Sequence, residues 1–343
     1  MNITTIGLDI AKNAFQVHGV DERGETVLRK RLRRKDVLSF FSSLAPCVVG
    51  IEACGTAHHW AREIRSVGHE VKLIAPAYVK PYVKRNKNDS ADAEAICEAV
   101  GRPSMRFVPV KSTDQQSVLM LHRARDLLVR QRTMLVNALR GHLAEYGIVV
   151  AQGIANVTHL FEILEDGNEE LIPALARRVL SSIAEQLRQL YLRIRELELE
   201  IMAWHKNNEQ SQRLATIPGI GPITASAIVA SIGDSSQFRS GRHFAAWLGL
   251  VPRQNSSGDK ERLGRISKRG DKYIRRLLVI GATSVIRHAR SKTSPRNDWI
   301  NQLLARRPAR LVSVALANKT ARIAWAVLAR GDIYHAPAPL AAT

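Results

Sequence analysis

Two aspartates three residues apart, Asp89 and Asp92, follow a basic run in "KRNKNDSADAEAI", residues 84–96. Alone they read as the acidic start of a helix. Asp89 would serve as the N-cap, and Asp92 would favour the positive end of the helix dipole. Two other acids change that reading. Asp9 lies in "IGLDIA" and Glu52 in "VGIEAC", and neither has a basic residue beside it. A carboxylate at the end of a half-buried strand is costly to leave without a partner. A divalent cation would satisfy all four acids together, and carboxylate oxygens are the ligands that Mg²⁺ prefers. Two such ions about 4 Å apart can clamp the attacking and leaving oxygens of a phosphodiester.

A second stretch offers a nucleophile. "NSSGDK" places Ser256 and Ser257 in a Gly/Ser-rich loop after Leu250. Arg253, Lys260, Arg262, Arg265, Lys268 and Arg269 surround it, and Lys272, Arg275 and Arg276 continue the charge into a basic helix. A serine hydroxyl is a weak nucleophile unless a base, a metal or a positive field favours its alkoxide. This field would bind phosphate and stabilise charge developing in an in-line displacement. The same residues also fit a phosphate-binding loop with no covalent role. His58 and His59 are adjacent on a helix and point about 100° apart, so they read as surface or packing residues, not shared ligands. "KRLRRK" at 30–35 fits either a nucleic-acid contact or a solvated edge.

The elements that would position these residues follow from periodicity. Residues 3–9, 14–20 and 25–32 read as strands, 34–44 as a helix, and 47–52 as a short buried strand ending on Glu52. A helix over 56–68, a strand over 70–76 and a helix from about 89 to 100 complete the segment. Period-two alternation puts Ile6, Leu8 and Ile10 on one face of the first strand and Asp9 on the other. Acids on the first strand, the fourth strand and the last helix of this order match the RNase H-like (RuvC-like) nuclease layout. Farther on, Ile183, Leu187, Leu190, Ile194, Leu197, Ile201 and Trp204 form a heptad seam. Leu121, Leu128 and Leu135 repeat at seven on an earlier helix, about 113–146. The two predict a coiled coil, paired as a hairpin within the chain or between chains. "IPGIG" reads as a turn between two apolar helices. It fits a helix-hairpin-helix phosphate contact or a plain packing unit. The expected organisation is an α/β domain over 1–110, a helical coiled-coil domain over 111–207 and a basic, mainly α-helical domain over 208–343.

Charge narrows the partners. The net charge is +20 over 343 residues, and residues 251–330 alone hold 19 Lys or Arg against 4 Asp or Glu. Lys and Arg release counterions from nucleic-acid phosphates, which gives affinity without sequence preference. Aromatic residues make up only 5% of the chain, so no stacking platform for single strands is expected. No apolar run approaches bilayer length, no basic n-region opens the chain, and the three cysteines lack a CxxC pair. These features predict a cytoplasmic protein with reduced thiols and no membrane partner.

"TTIGLDIAKN", "GIEACGT", "KNDSADAEAI", "IPGIG", "FAAWLGLVPRQNSSGD" and "GRISKRGDKYIRRLL" occur in that order. Over nearly its whole length the chain closely resembles the DEDD-type insertion-sequence transposases, the family that includes the Piv-type DNA invertases. The resemblance implies a RuvC-like Mg²⁺ site at Asp9, Glu52, Asp89 and Asp92. It implies that Ser257, from the "SG" pair, attacks a phosphodiester and forms a covalent phosphoserine link. Strand exchange would pass through a Holliday-junction-like intermediate. A structured non-coding bridge RNA would pair with donor and target double-stranded DNA. Homodimers would assemble into tetramers in the bacterial cytoplasm, with the metal site of one protomer completed by the serine of another. Cys54 stands where relatives commonly have Thr, with no functional consequence expected. Two other readings of the residues stand beside this one: a metal-dependent junction nuclease in which water attacks, and a non-catalytic nucleic-acid-binding protein.

Overall fold

The computed structural model describes residues 2–84, 89–153, 156–165, 171–257, 260, 262–289 and 295–336. The chain divides into two compact units, Met1–Thr113 and Asp114–Thr343.

The first unit is a mixed sheet with helices on its faces. Its strands are β1 (Thr5–Ile10), β2 (Ala14–Val20), β3 (Thr26–Arg33), β4 (Val48–Glu52), β5 (Glu70–Ile74) and β6 (Phe107–Val108). They lie in the order β3-β2-β1-β4-β5-β6. The first three form an antiparallel meander, β4 and β5 run parallel to β1, and β6 returns antiparallel on β5. This mixed α/β sheet is compatible with an RNase H-like transposase domain. Helices α1 (Val37–Ser42) and α2 (Ala57–Ser66) cover one face, where Ile6, Leu8, Phe15, Phe41, Trp60 and Ile64 are buried together. After the short α3 (Pro76–Val79), helix α4 (Asp89–Val100) covers the other. The alternation expected for β1 is observed, with Ile6 and Leu8 fully buried against the α1–α2 layer. The two-residue β6 and the single turn of α3 carry too little pattern to be foreseen.

Among its described residues the second unit is helical apart from one hairpin. Long helices α5 (Thr113–Ala144) and α7 (Ala174–Lys206) flank α6 (Val157–Glu165). Arg125 of α5 pairs with Glu198 of α7, and Arg132 lies over the Tyr191 ring, 5.4 Å from its centre. Seven residues forward on α5 thus meets seven back on α7, so the two run antiparallel. The stretch between them contains α6, whose Val157, Leu160 and Leu164 are buried in one cluster with Leu139, Leu143 and Leu187. Of the expected heptad seam, Leu187, Leu190, Ile194 and Ile201 are buried. What these contacts display is an antiparallel helix pair with a small apolar core; a coiled coil is a further step.

Then come α8 (Glu209–Ala215), α9 (Pro222–Ile232), α10 (Gly241–Trp247), the strands β7 (Pro252–Gln254) and β8 (Leu263–Ile266), and α11 (Lys272–Ala289), α12 (Pro295–Leu304) and α13 (Ala309–Arg330). The "IPGIG" turn packs closely on α11: a Cβ on Gly281 would lie 1.9 Å from the Gly219 carbonyl oxygen. The expectation that no apolar run reaches bilayer length is corrected by α13. Its Ala-rich composition and 22 residues meet that test. This is weak evidence for a membrane, because Val312, Leu316, Ala317, Ala321, Ala324 and Val327 of the same helix are core residues of the second unit.

Candidate functional site

The acid site begins with two strand glycines. A Cβ placed on Gly7 of β1 would lie 2.1 Å from the Ala93 carbonyl oxygen and 2.5 Å from the Cys97 nitrogen. One on Gly50 of β4 would lie 2.8 Å from Val100 Cβ. Glycine at both positions lets α4 lie directly on the sheet backbone, and interior strand glycines often mark such an approach. The Cys97 thiol reaches the Thr5 carbonyl at 3.8 Å. Helix α4 therefore runs back along β1, with Cys97 near the start of the strand and its own first turn toward the strand's end.

That direction sets the acids. Asp9 follows Gly7 by two residues and shares its face; Glu52 follows Gly50 by two and does the same. β1 and β4 pair in parallel through Leu8↔Ile51, so Asp9 and Glu52 are the next neighbours across the ladder. Asp89 and Asp92 sit in the first turn of α4. Asp89 is the first described residue of the helix, and residue 88 lies outside the described residues.

The electrostatics agree with this convergence. The Asp9 carboxyl is pushed up from the ordinary 3.8 to about 6, first by burial and then by the charges of Asp92, Asp89 and Glu52. It makes no ion pair among the described residues. Among those residues, no three acid, histidine or cysteine side chains are gathered as a ready metal cage. The two facts are compatible, because Mg²⁺–oxygen bonds are about 2.1 Å while charge repulsion acts over several ångströms. The oxygen-only donor set and the excess negative charge fit a hard divalent cation.

The serine stretch is a β-hairpin, where the sequence suggested a loop. β7 and β8 pair antiparallel, and Asn255 N–H donates to the Arg262 carbonyl at 3.0 Å. Ser257 bridges to Lys260 near the tip. The Ser256 hydroxyl accepts from the Arg262 N–H at 3.2 Å. Ser257 is exposed, and its hydroxyl has no hydrogen-bond partner among the described residues. Gly258 and Asp259 of "NSSGD" lie outside them.

The base of the hairpin is clamped by backbone. A Cβ on Gly270 would lie 1.8 Å from the Trp247 carbonyl oxygen, and one on Gly249 2.1 Å from that of Arg269. Both have positive φ, as does Lys268 at 54°, a conformation that is uncommon outside glycine. Of the nine cations singled out in the sequence, Arg253, Lys260, Arg262, Arg265, Lys268, Arg269, Lys272 and Arg276 are exposed. Arg275 is half-buried and donates to the Leu248 carbonyl at 2.8 Å and that of Arg269 at 3.2 Å. Arg276 pairs with Asp126 and lies over the Tyr273 ring.

Two features escaped the sequence reading. His122 of α5 is buried between the Tyr273 hydroxyl, 3.2 Å from Nδ1, and Ser226 Oγ, 3.1 Å from Nε2. Ser226 donates onward to the Pro222 carbonyl at 2.7 Å. Nε2–H therefore donates to Ser226, and Nδ1 accepts from Tyr273, which requires a neutral ring. Burial, with help from Arg125, lowers its pKa to about 4. The second feature is an open groove of about 860 Å³ lined by Arg242, Trp299, Lys319 and Arg322 among others. The Lys319 ammonium stands 4.3 Å from the Trp299 ring centre. His58 and His59 do not share a site: His58 accepts from the Lys111 N–H, and the His59 ring packs on Trp60.

An acid-bearing α/β unit and a basic helical unit are the parts of a DNA-acting enzyme, and the sequence comparisons specify which. The family model for DEDD-type IS110 transposases matches residues 6–148, a span that holds all four acids. The model described as "Transposase IS116/IS110/IS902 family" matches residues 211–296, a span that holds Ser257. A "Probable family 20 transposase" of Pseudomonas aeruginosa is 53% identical over 336 residues, covering 98% of this chain and 99% of the relative. The transposase for insertion sequence element IS1328 of Yersinia enterocolitica is 45% identical, covering 97% and 99%. A "Pilin gene-inverting protein" of Moraxella bovis is 26% identical, covering 83% and 84%. The chain belongs to the IS110/IS116 family of insertion-sequence transposases and is a DNA transposase.

Proposed function

We propose that this transposase recombines DNA through a composite site, with a Mg²⁺-binding tetrad at Asp9, Glu52, Asp89 and Asp92 and a nucleophile at Ser257. The observation that carries the reading is the Asp9 carboxyl, half-buried on the α4 face and acted on by the charges of the other three acids. Bound Mg²⁺ would supply Lewis acidity toward phosphoryl oxygens and lower the pKa of the serine hydroxyl. The chain's own residues do the rest. Ser257 Oγ forms a bond to phosphorus as a phosphorus–deoxyribose oxygen bond breaks. The released sugar hydroxyl carries the proton equivalent to the one the serine lost, so each phosphoserine link conserves one phosphodiester for rejoining. The exposed cations of the β7–β8 hairpin and the start of α11 hold the phosphates.

The family resemblance extends the reading. The DNA partners are donor and target duplexes, a structured non-coding RNA encoded beside the gene selects them, and homodimers assemble into tetramers. The serine of one protomer then serves the tetrad of another, in the bacterial cytoplasm. The test is incubation of the protein with its element's junction DNA, the flanking RNA and Mg²⁺, followed by denaturing electrophoresis. A protein–DNA adduct that Ser257→Ala abolishes is the expected result. Cleaved ends with no adduct, and full activity of Ser257→Ala, would replace this reading with a nuclease in which water attacks. Full activity of Asp9→Asn would remove the tetrad from the chemistry.

A further inference from the structure

The edge strand β3 carries "TVLRKRLR", and its two faces use their cations differently. Lys30 turns to the α1–α2 layer and stands 5.2 Å from the Phe40 ring centre. Just past the strand, Arg34 covers Trp60 at 5.2 Å and Phe15 at 5.9 Å. These two are engaged in packing. Arg29, Arg31 and Arg33 are exposed and make no ion pair or hydrogen bond among the described residues.

Register fixes where those three arginines face. Arg31 pairs with Gln16, and Gln16 pairs with Asp9. With Glu52 next to Asp9 on the other side, one row crosses the sheet as Glu52, Asp9, Gln16, Arg31. Residues opposed in a ladder share a face, so Arg31 lies on the face of the acids. The neighbouring row, Gly7, His18, Arg29, runs beneath α4 at Gly7. The charge of Arg29 acts on Glu94 of α4, in keeping with that side. Adjacent strands are about 4.8 Å apart, so the Arg31 backbone lies about 10 Å from that of Asp9. Alternate residues along a strand are about 6.8 Å apart, comparable with successive phosphates of an extended nucleic-acid strand.

We propose that Arg29, Arg31 and Arg33 form a rail on the acid face of the sheet that holds the phosphodiester backbone of a nucleic-acid strand running to or from the Asp9 site. The proposal rests on the reading that this site acts on nucleic acid. The arginines are substrate-positioning residues. A competing role exists, because cations on an edge strand also discourage edge-to-edge pairing. That role makes no distinction between odd and even positions, whereas a rail does.

The experiment compares full-length Arg29→Ala/Arg31→Ala/Arg33→Ala with Lys30→Ala, a cation on the same strand and the opposite face. Equilibrium binding to a 40-base-pair DNA duplex and, separately, to a 40-nucleotide RNA is measured in EDTA from 50 to 300 mM salt. For at least one of the two ligands, the triple variant should bind at least tenfold more weakly at the lowest salt. The slope of log K against log salt should fall by about 2–3, near one for each phosphate that the variant no longer neutralises. The ligand that responds identifies the strand held. Lys30→Ala should leave affinity and slope unchanged, and both variants should elute from gel filtration as the wild type does. Equal weakening by Lys30→Ala, or unchanged slopes on both ligands, would overturn the rail. So would aggregation of the triple variant with wild-type binding by its soluble fraction, which would assign the arginines to edge protection. Binding in EDTA requires no strand transfer, so failure here leaves the adduct test standing, and the reverse also holds.

Discussion

Around Asp9 the supports are backbone against backbone, with α4 lying on Gly7 and Gly50 and the acids set at the strand ends. Around Ser257 the described hairpin residues are nearly all exposed, and the backbone packing among them is at the base of the hairpin, at Gly249 and Gly270. One region fixes charges of like sign close together. The other clamps the base of a hairpin and leaves its far end exposed. A carboxylate cluster needs rigidity, because its members repel. The nucleophile proposed at Ser257 would have to meet a large substrate, which needs reach more than burial.

The sharpest break in this contrast comes from adding a side chain. Gly7→Val drives carbon into the α4 backbone and should cost more than about 3 kcal/mol, with loss of transposition. A urea melt of the full chain measures it. Gly264→Ala, in the hairpin strand, has no atom nearer than 3.7 Å to its new carbon. It should change stability by less than about 0.5 kcal/mol. If Gly7→Val melts like the wild type, the cradle is not what seats α4.

The two units should also answer pH with opposite sign. The Asp9 pKa is raised, from 3.8 to about 6. Between those values the folded state holds more protons than the unfolded one, so stability falls as pH rises through that window. Asp9→Asn should therefore stabilise the first unit at pH 7 by about 1–2 kcal/mol, after allowance for solvent screening. The gain should vanish below pH 4, and activity should be lost. Mg²⁺ should raise the wild-type melting temperature more than that of Asp9→Asn.

His122 is shifted the other way, from 6.5 to about 4. The unfolded state holds more protons in that window, so the stability His122 contributes is full above pH 6.5 and is lost as pH falls toward 4. His122→Gln should flatten this acid limb for the second unit, read by tryptophan fluorescence at the cluster near Trp299 and Trp325. Smallest of all, Lys268→Gly relieves a left-handed residue at the hairpin base and should raise stability by no more than about 1 kcal/mol.

Much of the first unit was legible because its signals are local. β1 alternates cleanly, β4 ends on its acid, and the first turn of α4 is acidic. The seat of α4 was present in the sequence as Gly7 and Gly50, yet a glycine does not name what approaches it. The hairpin was hidden because β7 and β8 have three and four residues, nearly all exposed, and so show no hydrophobic period. The inward turn of Arg275 was invisible for a related reason: its acceptors are the carbonyls of Leu248 and Arg269, supplied by chain geometry and not by residue type. His122 reads as one polar residue on a helix face until Tyr273 and Ser226 meet it from distant positions.

The glycine cradle has a consequence for how this lineage can vary. Face and register are counted in single residues between Gly7 and Asp9, and again between Gly50 and Glu52. One inserted residue in either interval would turn an acid to the opposite face of the sheet. Substitutions can accumulate around these four positions, but insertions and deletions within the intervals cannot. Length polymorphism among relatives should therefore concentrate in segments such as the β2–β3 turn and spare both two-residue steps.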